Sequence, residues 1–276
     1  MPTLAVARYS HACCTVRGAL VVLGGFVAAE DGEEPTSSVE SLSKQPGGVF
    51  TNLPPLSCGG IANAVAIAVE ESDSVAGQVL LLGGSNIESY GPTTAVHLVD
   101  LATGTCTLQP ALLHSRCDFS AVRMPDGRVV CAGGRGIDGT LSSVEVWGSP
   151  ANQASHAAWT WTQLPLMIYG RDDCCGCVMS NGRLAILGGM TPAGDNTSSC
   201  EVSVVGEDEQ WHSLPPMHHA RSGFACAAVA GCIIVAGGVN LRSVEVYDEA
   251  LNKWILLPCN TPPGNRCLLA IGSALL

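Results

Sequence analysis

Short runs of consecutive apolar residues, each closed by a double glycine, punctuate the chain. Leu20-Val21-Val22-Leu23 ends at Gly24-Gly25, and Val79 to Leu82 ends at Gly83-Gly84. Val129 to Ala132, Leu184 to Leu187 and Ile233 to Ala236 end at Gly133-Gly134, Gly188-Gly189 and Gly237-Gly238. Runs of four to five residues, rich in Val, Ile and Leu and bounded by glycine, predict strands. Leu20 to Leu23 and Cys232 to Val235 are apolar at every position, which predicts burial on both faces of the sheet. No window keeps a helical period for three turns, so helices are expected to be scarce.

The double glycines recur at intervals of 59, 50, 55 and 49 residues, a period near fifty that marks a repeat architecture. Other landmarks keep step. Sixteen or seventeen residues before the pair stand Arg8, Arg116, Arg171 and Arg221. After it come Ser143-Val144-Glu145-Val146 and Ser243-Val244-Glu245-Val246, with weaker copies at Ser38-Val39-Glu40 and Cys200-Glu201-Val202. A tryptophan and a Leu-Pro follow: Trp161 with Leu164-Pro165, Trp211 with Leu214-Pro215, Trp254 with Leu257-Pro258. Between the first two predicted strands lie the turn residues Asp126-Gly127, Asn181-Gly182 and Gly18, which are hairpin signals.

This combination resembles the kelch repeat family, and the resemblance covers nearly the whole chain; Arg221 to Pro258 is the best copy. The blade from Gly59 to Pro110 is the worst: it has no repeat arginine, and Cys106 and Leu108 stand where a tryptophan is expected. The resemblance implies an all-β, kelch-type β-propeller that forms a single domain over 1–276. Its blades are expected over about 8–55, 56–112, 113–166, 167–217 and 218–258, each with four strands. Arg266 opens an incomplete sixth blade over 259–276.

Composition narrows the class. Only 13% of the 276 residues are charged, and the formal net charge is −11, so a phosphate backbone is repelled and nucleic acid is not an expected partner. No basic region precedes an apolar stretch at the N-terminus, and no apolar run approaches bilayer length. The expectation is a cytoplasmic protein without a membrane partner. Fourteen cysteines are then read as reduced, small core hydrophobes. Cys174-Cys175-Gly176-Cys177 contains a Cys-x-x-Cys without the second pair that a zinc site needs, and His218-His219 is a solvated loop pair. No metal and no cofactor are expected.

Meander geometry puts the loop before strand one and the loop after strand two at the same end of every blade. Arg8, Arg116, Arg171, Arg221 and Arg266 therefore converge on one mouth of the central channel, joined by Ser85, Asn86, Arg135 and Asn240 from just after the double glycines. Each arginine either receives a ligand there or braces the blades, with Asp118 or Asp172 as nearby partners, because a buried charge must be paired. In substrate-adaptor relatives the peptide pocket is lined by first-strand arginines, adjacent serines and residues after the double glycine. The resemblance therefore implies partner-binding roles for Arg8, Arg116, Arg171, Arg221, Ser222, Arg135, Asn86 and Asn240. The function expected is a protein-interaction scaffold, not an enzyme, that takes an acidic or polar segment of a protein partner. The alternative is a propeller enzyme, of sugar-isomerase or oxidase type, acting on a small acidic or sugar substrate in the same mouth. A purely structural domain of a larger chain is a third reading.

Overall fold

Each apolar run forms the second strand of a four-stranded antiparallel sheet, and five such sheets follow one another among the described residues. The computed structural model describes residues 2–30, 32–43, 47–69, 74–86, 91–148, 159–205 and 210–261. Blade one comprises Ala12–Val16, Ala19–Leu23, Val39–Leu42 and Phe50–Leu53. Blade two comprises Val65–Val69, Gln78–Leu82, Val96–Asp100 and Cys106–Leu108. Blade three comprises Ser120–Arg123, Val129–Ala132, Val144–Gly148 and Thr160–Leu164. Blade four comprises Cys175–Val178, Leu184–Leu187, Cys200–Ser203 and Trp211–Leu214. Blade five comprises Ala225–Val229, Cys232–Ala236, Ser243–Asp248 and Lys253–Asn260. The strands pair in simple up-and-down order in every blade. The fold is an all-β propeller, with no helix among the described residues and hence none able to cross a membrane.

The blades pack face to face, because a sheet apolar on both sides must be covered on both. Cys14, Val16, Val21 and Leu23 of blade one share a core with Ala66, Val79 and Leu81 of blade two. Val65, Ile67, Leu80 and Leu82, on the other face of blade two, meet Phe119, Ala121 and Cys131 of blade three. Cys175, Cys177, Ala185 and Leu187 of blade four meet Ile233, Val235, Tyr247 and Trp254 of blade five. The cysteines on these strands are packing residues, and the thirteen described cysteines are free thiols.

Blade five departs from the expectation of two buried faces. Ile233 and Val235 are fully buried against blade four, but Ile234 between them is 37% exposed. Ala225 and Ala227, on the same face as Ile234, are only half-buried, whereas Cys226 and Ala228 pack toward blade four. One face of this sheet is therefore open to solvent. Its outer strand runs on to Asn260, two residues past the expected boundary. From residue 262 onward the expected sixth-blade remnant, with Arg266, lies outside the described residues.

The double glycines are places where one blade touches the next. Gly25, Gly84, Gly134 and Gly189 each donate their N–H to a carbonyl of the following blade: Ile61, Arg116, Arg171 and Arg221, at 2.8–2.9 Å. A Cβ on the preceding glycine would lie 2.2–2.6 Å from that same carbonyl oxygen. Glycine is therefore required by close backbone approach as well as by the positive φ of +54° to +67° at Gly24, Gly83, Gly133 and Gly188.

Candidate functional site: the channel mouth

Two residues after each repeat arginine, and after Ile61 in blade two, the chain enters the left-handed region. Ser10, Asn63, Asp118, Asp173 and Gly223 have φ between 49° and 56°. Their backbones join blade to blade around the channel. Asn63 N–H donates to Ser10 C=O at 2.9 Å, Asp118 to Asn63 at 3.2 Å, Asp173 to Asp118 at 2.7 Å and Gly223 to Asp173 at 3.0 Å. Four of the five are residue types that tolerate this conformation best, Asn, Asp or Gly among them. This arc of peptide groups lines the mouth. The residue after each double glycine sits beside it, as in the bridges Tyr9 with Phe26 and Cys117 with Arg135.

The repeat arginines spend their charge inside their own blades. Arg116, Arg171 and Arg221 have no exposed surface, and neither has the Arg8 side chain. Arg116 donates Nη1–H to Gly133 C=O at 2.6 Å and Nη2–H to Ser143 Oγ at 3.0 Å and Glu145 Oε1 at 2.5 Å. Arg221 repeats this with Gly237, Ser243 and Glu245, Arg171 with Gly188, Ser199 and Glu201, and Arg8 with Gly24, the Ser38 carbonyl and Glu40. The anionic partners are these glutamates, and Asp118 and Asp172 are not among them: Asp118 sits on the arc and Asp172 next to its member Asp173, while the glutamates reach the guanidinium from the third strand.

Each glutamate is also held by the connector that leads into its blade. Glu145 accepts the N–H groups of Leu113 and His114, Glu201 those of Ile168 and Tyr169, Glu245 those of His218 and His219, and Glu40 those of Ala5 and Val6. Burial opposes ionisation of Glu245, but the His218 N–H and the Arg221 guanidinium outweigh it and keep the carboxyl below its ordinary range. The signal was present in the sequence: a Ser-x-Glu stands once in every blade that has a repeat arginine, including Ser199-Cys200-Glu201, and is missing from the one blade that lacks it.

The tryptophans are structural in the same sense. Trp161, Trp211 and Trp254 donate Nε1–H to the Pro110, Pro165 and Pro215 carbonyls of the preceding blade at 2.9–3.0 Å. The proline that closes one blade thus receives the tryptophan of the next, in a Leu-Pro at Pro165 and Pro215 and after Gln109 at Pro110.

Other groups face the mouth. Arg135 is about half exposed, 3.5 Å from Asp118 Oδ2 and 3.7 Å from Asp172 Oδ2. Asp172 Oδ2 also accepts from Thr140 Oγ1 at 3.0 Å. Burial, then the charge of Asp172, pushes Asp118 up to about 6 against the pull of Arg135. Burial and the charges of Asp118 and Asp172 push Asp173 up to about 7. Asn240 is exposed, Asn86 is half-buried, and Ser222 is buried with its carbonyl accepting from Val239 N–H at 3.0 Å. Of the eight residues singled out from the sequence, Arg135 and Asn240 are exposed and Asn86 is half-buried, whereas the side chains of Arg8, Arg116, Arg171 and Arg221 and residue Ser222 are buried. Sequence reasoning missed Asp118 and Asp173 as lining groups, because their role follows from backbone conformation and not from residue type.

Comparison with known proteins agrees with this architecture. The model of the Kelch motif matches residues 7–57 and 220–261. The chain is 27% identical to the Kelch-like protein terF of Aspergillus terreus over 90% of its own length and 55% of the relative's. It is 29% identical to Kelch-like protein 33 of Homo sapiens over 56% of its length and 33% of the relative's. It therefore spans about half or less of the length of the curated relatives it matches. Among solved structures, that of YjhT superposes with a TM-score of 0.71 at 13% identity, over 91% of this chain and 84% of the other, a likeness of fold. The recurrent arginine, double glycine, Ser-x-Glu and tryptophan, each with its structural partner, and these matches show a β-propeller that carries Kelch motifs.

Proposed function

We propose that the chain is a protein-binding module, not an enzyme, and that its arginine-end mouth receives a polar, carboxylate-bearing segment of a protein partner. The observation that carries the reading is Arg135, an exposed guanidinium held loosely between Asp118 and Asp172. Separations of 3.5 and 3.7 Å leave a planar donor fork able to turn to a bidentate carboxylate. Asn240 and Asn86 would add neutral hydrogen bonds beside it. In this reading Arg8, Arg116, Arg171 and Arg221 act through the backbone: they fix the loops that carry the mouth residues, while Ser222 holds the loop of Asn240.

The test is affinity capture from the native source, followed by titration of the captured partner against wild type, Arg135→Ala and Asn240→Ala. Arg135→Ala should weaken binding by roughly 1–3 kcal/mol, the range of a charged hydrogen bond, with a smaller difference at high salt. Unchanged affinity in both variants, with the fold intact, would overturn the mouth as the binding site.

A further inference from the structure

The hairpin that joins the first two strands ends on an arginine in two blades, at Gly127-Arg128 in blade three and Gly182-Arg183 in blade four. Both hairpins close alike. Met124 N–H donates to Arg128 C=O at 2.7 Å and Met179 N–H to Arg183 C=O at 2.8 Å, so the two guanidinium groups leave the backbone at matching positions. Arg128 is satisfied locally: its Nε–H donates to Asp126 Oδ2 at 2.7 Å, and its Nη2–H crosses to the Val205 carbonyl of blade four at 3.2 Å. In blade four the uncharged Asn181 replaces Asp126, and its Oδ1 accepts the Arg183 backbone N–H at 3.1 Å. Among the described residues nothing accepts a hydrogen bond from the Arg183 guanidinium or forms an ion pair with it, and its Nε is buried without a partner.

Across the seam stands the turn from Asp248 to Asn252, which joins the third and fourth strands of blade five. Glu249 is engaged there: its carboxylate accepts the Ser180 N–H at 3.0 Å and the Ser180 hydroxyl, a tie between the two blades. Tyr247 O–H donates to Asn252 Oδ1 at 2.6 Å. Asp248 Oδ1 accepts the Ala250 and Leu251 N–H groups at 3.0 Å, while its Oδ2 accepts none among the described residues. Arg183, Asp248 and Asn252 line one cleft of about 640 Å³, together with the apolar Met179, Leu214 and Ala230. A cation without a partner on one blade and a carboxylate oxygen without a partner on the next thus share a cleft and do not pair with each other. The turns that carry them lie at the end of the propeller opposite the mouth.

We propose that this cleft binds a small zwitterion of the amino-acid class, with its carboxylate on Arg183, its ammonium on Asp248 and an apolar side chain against Met179 and Leu214. A guanidinium fork takes a carboxylate through two parallel N–H···O bonds. The Asn252 amide, whose Oδ1 is held by Tyr247, adds an Nδ2–H donor to the same cleft. Charge selects the class. Arg183 shares the cleft with the carboxylates of Asp248 and Glu249, so a purely anionic ligand meets net negative walls and a purely cationic one leaves Arg183 unsatisfied. A ligand that carries both charges answers both walls, and a partly enclosed cleft screens these contacts less than open water does. The volume suits a free amino acid or a dipeptide. The site is separate from the mouth, and neither reading depends on the other.

The test is isothermal titration of the full chain with L-methionine, L-leucine and the dipeptide leucyl-leucine. Saturable one-to-one binding of at least one of them is expected, with a Kd in the micromolar to millimolar range; the ranking tells a free amino acid from a dipeptide as the occupant. The methyl ester and the N-acetyl form of the best ligand each lack one charge and should bind at least about tenfold more weakly. Arg183→Gln should weaken binding by roughly ten- to a hundredfold. Arg128→Gln, at the matching position whose guanidinium is already satisfied, should leave the affinity unchanged. Arg183→Gln removes no side-chain hydrogen bond from the described fold, and thermal melts establish that both variants are folded. The proposal is overturned by any of four results: no binding of the three ligands in the millimolar range, equal affinity for the ester or the N-acetyl form, unaltered affinity in Arg183→Gln, or an equal loss in Arg128→Gln.

Discussion

Ile61 and His97 occupy in blade two the positions that a repeat arginine and its glutamate occupy in the other four. Ile61 C=O accepts from Gly25 N–H at 2.8 Å as Arg171 C=O accepts from Gly134, and burial lowers the His97 imidazole below its ordinary range. Both charges are absent together. A buried guanidinium without its carboxylate, or the reverse, carries an uncompensated desolvation cost, whereas replacing the pair by uncharged groups does not.

Glu201→Ala is therefore expected to destabilise the fold by about 3–5 kcal/mol. It strands Arg171 in the core and removes the acceptor of the Ile168 and Tyr169 N–H groups. The double variant Arg171→Ile with Glu201→His, which copies blade two, should lose less than Glu201→Ala alone. Urea melts of wild type, Glu201→Ala and the double variant decide it: a double variant no more stable than Glu201→Ala would mean that the pair is not reciprocal.

The glycines give a second contrast. An added Cβ at Gly188 meets the Arg221 carbonyl oxygen at 2.6 Å, while one at Gly182 meets nothing within 4 Å, although φ is positive at both. Gly182→Ala should cost about 1 kcal/mol, from backbone strain. Gly188→Ala should cost clearly more, because two blades must separate to admit the methyl group. Equal melting temperatures for the two variants would show that the interface yields.

The tryptophans offer a milder probe. Trp254→Phe keeps much of the apolar contact with Tyr247 but deletes the hydrogen bond to the Pro215 carbonyl. The expected loss is about 1–3 kcal/mol, the range for a buried acceptor left unpaired. The same change at Trp211, which is less buried, should cost less. Thermal melts of both variants give the ranking.

Much of this was legible in the chain because the repeat samples each contact several times. Gly-Gly, arginine and tryptophan stand out through recurrence, and the up-and-down sheet follows from hairpin spacing. The burial of Ile234 was misread because an apolar run reports that a strand suits two neighbours, not that two are packed against it. The partners of Arg116 and Arg171 were misread because Asp118 and Asp172 are near in sequence, whereas Glu145 and Glu201 lie about thirty residues on and arrive by strand pairing. The arc from Ser10 to Gly223 had no residue signature, since Ser, Asn, Asp and Gly fill one backbone role.

That arc yields a pH dependence. Asp118 and Asp173 bind protons up to about 6 and 7 in the folded chain, whereas an unfolded aspartate releases its proton near 4. Between about pH 4 and pH 7 the folded state therefore holds more protons than the unfolded one, and this contribution to stability falls as pH rises. The cause is geometric: Asp118, Asp172 and Asp173 share one cation, Arg135, and Oδ1 of Asp172 and of Asp173 lack a hydrogen-bond partner. Asp173→Asn removes the charge while keeping the side-chain shape. At pH 8 the variant should be more stable than wild type by on the order of 1 kcal/mol, discounted for the partial exposure of Asp173. Near pH 5 the difference should shrink toward zero, because wild type is then protonated at this position as well. Other carboxylates, such as Glu245, contribute with the opposite sign, so the informative quantity is the difference between variant and wild type at each pH, taken from paired thermal melts. A difference that stays constant from pH 5 to pH 8 would mean that Asp173 titrates as an ordinary surface carboxylate.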